Sequence, residues 1–411
     1  MPQGGIVRAG RRVWITVHRW LGLALGAVLV VSGVTGAVLT FRQELDTQLS
    51  PQLMTVTQRP GGEASFRPLD EIVAAALAAM PAGSRLGFGY YPFTDASAYQ
   101  LSVQAPTGGT TAAGTPAFDG YEVFVDPYTA TVTGTRLVRP AGAWFPRTLI
   151  AFADGLHLSL LIPGTLANGG RIVGWSTALL LVSLVTGVLL WWPVDGRWRR
   201  VFTLNRTTWT RLNHDLHQAA GIYALVVLAT VLVSGTALYN LRAEFHWMVR
   251  WFSPTVDRYS VRSRPSDGRP AIALADAVRA ASARTTEGRL DWLYPAPGPL
   301  SAYTVCRRLG GDGWFPGRRC VVVDKYTAEV LHVAGPVEGS RGDRFIHLQW
   351  FLHSGQVAGL PGRLLVLLSG LACPLIAGTG VLRWWQKRRV NARASRLRRE
   401  TRAFSVAQNL N

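Results

Sequence analysis

Apolar residues fall in four long runs, roughly His18–Phe41, Ile172–Trp192, His217–Asn240 and Leu364–Trp385. Each reaches the ~20 residues that a helix needs to cross a bilayer. The first runs into Phe41-Arg42-Gln43-Glu44 with no small-residue cleavage site, so it reads as a retained helix rather than a signal peptide. Long segments, 42–171 and 241–363, separate the first run from the second and the third from the fourth. In each, an alanine-rich amphipathic stretch, Leu69–Met80 or Leu274–Ala283, predicts a helix. Period-two alternation, as in Tyr99–Val103 and Tyr121–Val125, predicts strands. Asp126-Pro127-Tyr128-Thr129 and Asp324-Lys325-Tyr326-Thr327 carry turn chemistry, since Asp bonds the backbone two residues on. Thr107–Pro116, rich in Gly, Thr and Ala, reads as a flexible insertion. The chain is thus expected to be an α-helical four-span membrane bundle carrying two α+β modules.

The two halves match at a nearly constant offset. Thr186–Trp192 resembles Thr379–Trp385, 193 apart, and Val123–Ala130 resembles Val321–Ala328, 198 apart. His18-x-x-x-Gly22 with Thr35-Gly36 matches His217-x-x-x-Gly221 with Ser234-Gly235, 199 apart, and Leu156-His157 matches Leu352-His353, 196 apart. Matches in register across membrane runs and modules alike predict an internal duplication of a helix–module–helix unit.

Charge sets the orientation. The chain is 48% hydrophobic and only 16% charged, yet carries a formal charge of +19. A nucleic-acid binder would spread such charge over a soluble face with groove-reading or stacking groups. Here the basic residues bracket the apolar runs: Arg8, Arg11 and Arg12, then Arg197, Arg199, Arg200, Arg206 and Arg211, then the tail from Lys387 to Arg402. By the positive-inside rule these segments face the cytoplasm. The expected location is a bacterial inner membrane, with both termini cytoplasmic and the modules periplasmic. The chain divides into a tail and first span (1–41), first module (42–143), interfacial helix and second span (144–192), and basic loop (193–216). The third span (217–240), second module (241–343), interfacial helix and fourth span (344–385), and basic tail (386–411) follow. The interfacial helices are expected at Trp144–Leu161 and Arg344–Gln356, broken from their spans by Pro163-Gly164 and Pro361-Gly362. Cys306 and Cys320 flank a glycine-rich hairpin in the oxidising compartment, which predicts a disulfide. Cys373, inside the fourth span, reads as a packing residue.

Four of the eight histidines are related pairwise by the repeat. His18 and His217 begin the first and third spans at one face, and His157 and His353 precede the second and fourth at the other. Two imidazoles from facing helices are what a six-coordinate haem iron takes in a helical bundle, so the pattern predicts two haem b groups, one toward each face. Covalent attachment is excluded by the lack of Cys-x-x-Cys-His. Gly22, Gly36, Gly187, Gly221, Gly235 and Gly380 recur at matched positions, either to admit a flat macrocycle or to let helices approach closely. His214, three residues before His217, is a rival for the cytoplasmic ligand, and His246 and His347 are rivals outside. His332 reads as a surface residue.

From His18-Arg19-Trp20-Leu21-Gly22 to Gly380-Val381-Leu382-Arg383-Trp384-Trp385 the chain resembles the PepSY-associated transmembrane-helix proteins, a family of iron-regulated inner-membrane proteins. Tyr121–Thr129 resembles the usual PepSY module, whereas the second copy departs in Lys325 and in its cysteine-flanked hairpin. The resemblance implies a siderophore reductase of the ferrioxamine reductase type. By that resemblance, His18, His157, His217 and His353 would be the axial ligands of two haems, and the protein would reduce periplasmic iron(III) in a siderophore. No Gly-x-Gly-x-x-Gly follows a strand, so the electron donor is expected to be quinol or a cytosolic reductase. Two readings from other classes are a non-enzymatic PepSY module that binds peptides or inhibits a peptidase, and a permease. The spans lack the charged mid-membrane positions of the latter, Pro374 being their one interruption.

Overall fold

The computed structural model describes residues 3–111, 114–162, 166–193, 196, 202–310 and 317–408. Four of its helices are long and apolar enough to cross a membrane: Gly10–Leu39, Asn168–Trp191, Trp209–Leu238 and Gln356–Arg398. They belong to α1 (Gln3–Leu39), α5 (Leu166–Trp191), α6 (Trp209–Gly235) and α10 (Gly359–Gln408). Each packs on two others, in the ring order α1, α5, α6, α10. The tightest crossing is between α1 and α10. There a Cβ on Gly33 would stand 2.6 Å from that of Cys373, and one on Gly370 would clash with the Gly33 carbonyl. Cys373 joins Leu180, Ala224, Leu228 and Leu232 in an apolar plug at mid-bundle.

The second half repeats the element order of the first. After α1 come α2 (Arg42–Leu49), α3 (Leu69–Ala78), strands β1 (Arg85–Tyr90), β2 (Tyr99–Thr110), β3 (Pro116–Val125) and β4 (Val132–Arg139), and the short α4 (Leu149–Ser159). After α6 come α7 (Arg242–Val249), α8 (Leu274–Arg284), β5 (Arg289–Tyr294), β6 (Tyr303–Arg308), β7 (Arg318–Val323), β8 (Val330–Ala334) and α9 (Arg341–His353).

The four strands of one module are continuous with the four of the other. They make one antiparallel sheet in the order β4-β3-β2-β1-β5-β6-β7-β8, closed at its centre by Gly89 opposite Leu293 and Tyr90 opposite Trp292. Alternation explains its two faces. Leu101, Val103, Val123 and Val125, with Leu293, Val305, Val321 and Val323, are buried against α3 and α8, each such side chain contributing roughly 1.5–3 kcal/mol. The intervening residues point the other way, toward the bundle, where the Arg42 guanidinium stands 6.0 Å from the Tyr90 ring. Across the base of the sheet, Arg363 reaches Glu44 at 2.7 Å and Arg171 reaches Glu244 at 3.1 Å, so each half is clasped by the other.

Several boundaries differ from expectation. Thr107–Pro116 is not a loose insertion: β2 runs to Thr110, which pairs with Pro116, although residues 112–113 lie outside the described ones. His18 and His217 sit inside helices that begin at Gln3 and Trp209, the stretches Arg11–Val17 and Trp209–Leu216 before them holding neither Gly nor Pro. The interfacial helices are Leu149–Ser159 and Arg341–His353. The second break is made by Gly355 and Gly359, both at positive φ, rather than by Pro361, which is accommodated in the first turn of α10. Pro163-Gly164 lies outside the described residues. The expected tail 386–411 is helical to Gln408, since the stretch after Gly380 has neither Gly nor Pro and gains pairs such as Arg396–Glu400. Cys306 and Cys320 are disulfide-bonded across β6 and β7, directly opposite in register.

Candidate functional site

Each of the four long helices carries a Ser/Thr-Gly pair, and each pair receives one histidine from a neighbouring helix of its own half. His18 of α1 docks on α5, where its Nδ1 lies 2.8 Å from the Ser183 carbonyl and 3.3 Å from Thr186 Oγ1. His217 of α6 docks on α10 through the Ile376 carbonyl at 3.0 Å and Thr379 Oγ1 at 3.1 Å. His157 of α4 docks on α1 through the Ser32 carbonyl at 3.0 Å and Thr35 Oγ1 at 3.1 Å. His353 of α9 docks on α6 through the Val231 carbonyl at 3.0 Å and Ser234 Oγ at 3.2 Å.

This network assigns the tautomer. A carbonyl can only accept, so each Nδ1 carries the proton. The Thr and Ser hydroxyls spend their own protons on helix carbonyls, as Thr35 does on Val31 and Thr186 on Ser183. Nε2 is left with its lone pair, and a carbonyl-held Nδ1–H is the usual support of a metal-ligating imidazole. The glycine of each pair makes room for the ring: a Cβ on Gly187, Gly36, Gly235 or Gly380 would stand 3.0, 3.1, 3.2 or 3.2 Å from the Cε1 of its histidine. These four glycines therefore serve imidazole edges, neither a macrocycle face nor helix packing alone. Gly22 and Gly221, one turn beyond His18 and His217, have nothing within 4 Å of a Cβ position and leave that face open.

The histidines then meet across the halves. His18 and His217 have ring centroids 6.1 Å apart, and His157 and His353 6.0 Å. A metal–imidazole bond of about 2 Å plus about 1.2 Å from nitrogen to ring centre, on both sides, gives roughly 6.4 Å for two rings sharing one ion. Both pairs fit that spacing to within a few tenths of an ångström. Among the described residues no three His, Cys, Asp or Glu side chains converge on a point. An ion held by either pair thus needs its other donors from a ligand lying between the rings, which is how a haem iron is held. On α6, His217 and the Val231–Gly235 cradle are 14–18 residues apart, placing the pairs roughly 21–27 Å apart along the bundle at 1.5 Å per residue. The apolar plug separates them.

The other histidines belong to neither pair. His214 Nδ1 is 3.1 Å from Asp215, and His246 Nδ1 is 2.9 Å from the Thr255 hydroxyl. His332 lies on β8. His347 packs on the Phe351 ring at 5.5 Å, and burial together with the Arg258 and Arg318 guanidinium groups pushes its pKa down to about 4.

Residues 15–387 match a family described as the PepSY-associated TM region. The chain belongs to the PepSY-associated TM family. No curated relative matches it. The matched span of this PepSY-associated TM protein includes all four docked histidines and all four Ser/Thr-Gly cradles. It is a multi-pass membrane protein with an α+β sheet on one side of its bundle. The cradles were within reach of the sequence as Ser/Thr-Gly dipeptides, one in each of the second and third apolar runs and two in each of the first and fourth, where Ser32-Gly33 and Ser369-Gly370 accompany the cradle pairs. Which residue they serve depends on contacts between helices more than 100 positions apart.

Proposed function

We propose that this protein is a di-haem b electron-transfer protein of the bacterial inner membrane that reduces periplasmic iron(III), held in a siderophore or another chelate, for iron uptake. The observation that carries the reading is the facing of His18 with His217 and of His157 with His353, each pair at the spacing of one six-coordinate iron with Nε2 bare. Four cradles of one design, in register with the sequence offsets, support an origin by duplication. The basic flanks support cytoplasmic termini and a periplasmic sheet.

Bound haem would supply one-electron transfer at each pair. The chain's own part is to fix the ligand rings through the Ser183, Ile376, Ser32 and Val231 carbonyls and to keep water out between the pairs with the Leu180–Leu228–Cys373 plug. Quinol or a cytosolic reductase is the donor at the His18–His217 face, and the ferric chelate is the acceptor beside His157–His353. Iron(II) is a weaker partner than iron(III) for hard oxygen donors, so reduction releases the metal.

The deciding measurement is a pyridine haemochrome assay on the purified protein, with two haems per chain expected. A protein that folds and carries no Soret band would leave the non-enzymatic reading, a module that binds peptides or inhibits a peptidase.

A further inference from the structure

The ligand histidines are matched between the halves, but the polar groups beside them are not. On α9, Trp350 lies one turn before His353 and His347 one turn before Trp350, so the three form a stripe along one side of the helix. Trp350 Nε1 and His347 Nε2 are both buried without a hydrogen-bond partner. Arg258, whose field reaches His347, has a buried Nε that is likewise unpartnered, while its Nη atoms reach Cys320 Sγ and the Tyr259 hydroxyl. The charged groups felt by His347 are Arg258 and Arg318, with no carboxylate among them. Trp350 Nε1–H and Arg258 Nε–H can only donate, and the neutral His347 ring donates at Nε2 in one of its two tautomers, so in this positive field an anionic acceptor would satisfy all three groups of the column.

The first half offers nothing comparable. With 353 − 157 = 196 as the offset, Trp350 corresponds to Asp154 and His347 to Ala151. Asp154 would repel an anion, and it already holds Arg42 at 3.4 Å. The far-side pair is biased the same way. His214 stands where the first half has Ile15 (217 − 18 = 199), and Arg383 where it has Leu190 (379 − 186 = 193). The field of Arg383 reaches both His18 and His217.

We propose that Trp350, His347 and Arg258 bind the propionate carboxylates of the sheet-side haem, fixing it in one orientation with its anionic edge turned to the second half. The inference rests on the haem reading above. The column lies on the sheet side of His353, the side nearer water, where a membrane-embedded haem keeps its carboxylates. Apolar ligand cradles hold the ring system, and the column decides which way round it sits.

The chemistry recognised is a carboxylate, which a haem propionate or a carboxylate-bearing ferric chelate could equally supply, and the experiment separates the two. Purified protein and the variants Trp350→Phe and His347→Leu are loaded either with haem b or with its dimethyl ester, and loss of haem to an excess of a scavenging protein is followed by absorbance. Each donor removed is expected to speed loss of the sheet-side haem roughly tenfold, leaving the far-side haem unchanged. The ester should leave wild type at least as fast as haem b leaves either variant, and the variants should speed loss of the ester less than they speed loss of haem b. Variants that hold haem b like wild type, or that speed loss of the ester as much as loss of haem b, overturn the assignment. Unchanged haem retention with a raised half-saturating concentration of ferric citrate assigns the column to the substrate instead. If wild type takes up no haem at all, it is the haem reading itself that fails.

Discussion

The histidines and their Ser/Thr-Gly cradles carry the same chemistry in both halves of the bundle, while corresponding positions on the sheet face above it do not. Ser102 opposite Glu122 in β2 and β3 holds the register place that Cys306 opposite Cys320 holds in β6 and β7. In the first half, Arg136 bridges Glu122 to Asp46 of α2, with contacts of 2.5 and 2.7 Å, and so ties the sheet to the continuation of α1. In the second, the place of Arg136 is taken by Ala334, that of Asp46 by His246, and a disulfide closes the hairpin. If the paired histidines share one iron, a change in either member would disable the pair, which would keep the cradles alike. Fastening a sheet to a helix can be done by ions or by a covalent bond, so those positions are free to part.

The comparison can be broken most sharply at the histidines. Replacing any one of His18, His157, His217 or His353 with Ala is expected to abolish one haem and spare the other, with His18→Ala and His217→Ala losing the same spectral component. Different components lost by those two would refute the pairing across halves. Next in size is Arg136→Met, which leaves Asp46 and Glu122 buried and unpaired. It should cost about 3–5 kcal/mol, read as a fall in the unfolding midpoint of the detergent-solubilised protein. Replacing Asp46, Glu122 and Arg136 together with apolar residues should recover most of that loss.

Removing the disulfide with Cys306→Ser and Cys320→Ser should cost somewhat less, about 3 kcal/mol for a loop of ~15 residues. Added reductant should weaken wild type by the same amount and the variant not at all. The smallest effect expected is at the turn after β7. Burial pushes the Asp324 carboxyl pKa up, but hydrogen bonds from the Tyr326, Arg264 and Thr327 N–H groups outweigh it and hold the pKa below the ordinary range. Its contribution is therefore present above the unfolded value of about 3.9 and lost as pH falls through the lower folded value. Asp324→Asn should destabilise by roughly 1–2 kcal/mol at neutral pH, with the gap to wild type closing below about pH 4.

The sequence made the four spans legible through their length, and the repeat offsets pair His18 with His217 and His157 with His353, as the ring contacts do. The helix and strand types of the modules followed from periodicity. What periodicity cannot convey is which strand meets which: β1 and β5 each have an apolar face suited to a separate module, and only backbone pairing at Gly89 and Tyr90 joins them. Trp350 escaped notice for a similar reason. One tryptophan near an apolar run looks like an interfacial anchor, and its unmet Nε1 is a property of its surroundings rather than of its place in the chain.

The joined sheet also dictates an order of assembly. Gly89 and its partner Leu293 are 204 residues apart (293 − 89), with two membrane-crossing helices between them. During synthesis β1 must wait with one edge open until α5 and α6 have been threaded and β5 has followed, and an open edge invites pairing with other chains. Until then the unpaired edge of β1 is the part of the nascent chain most exposed to misassembly.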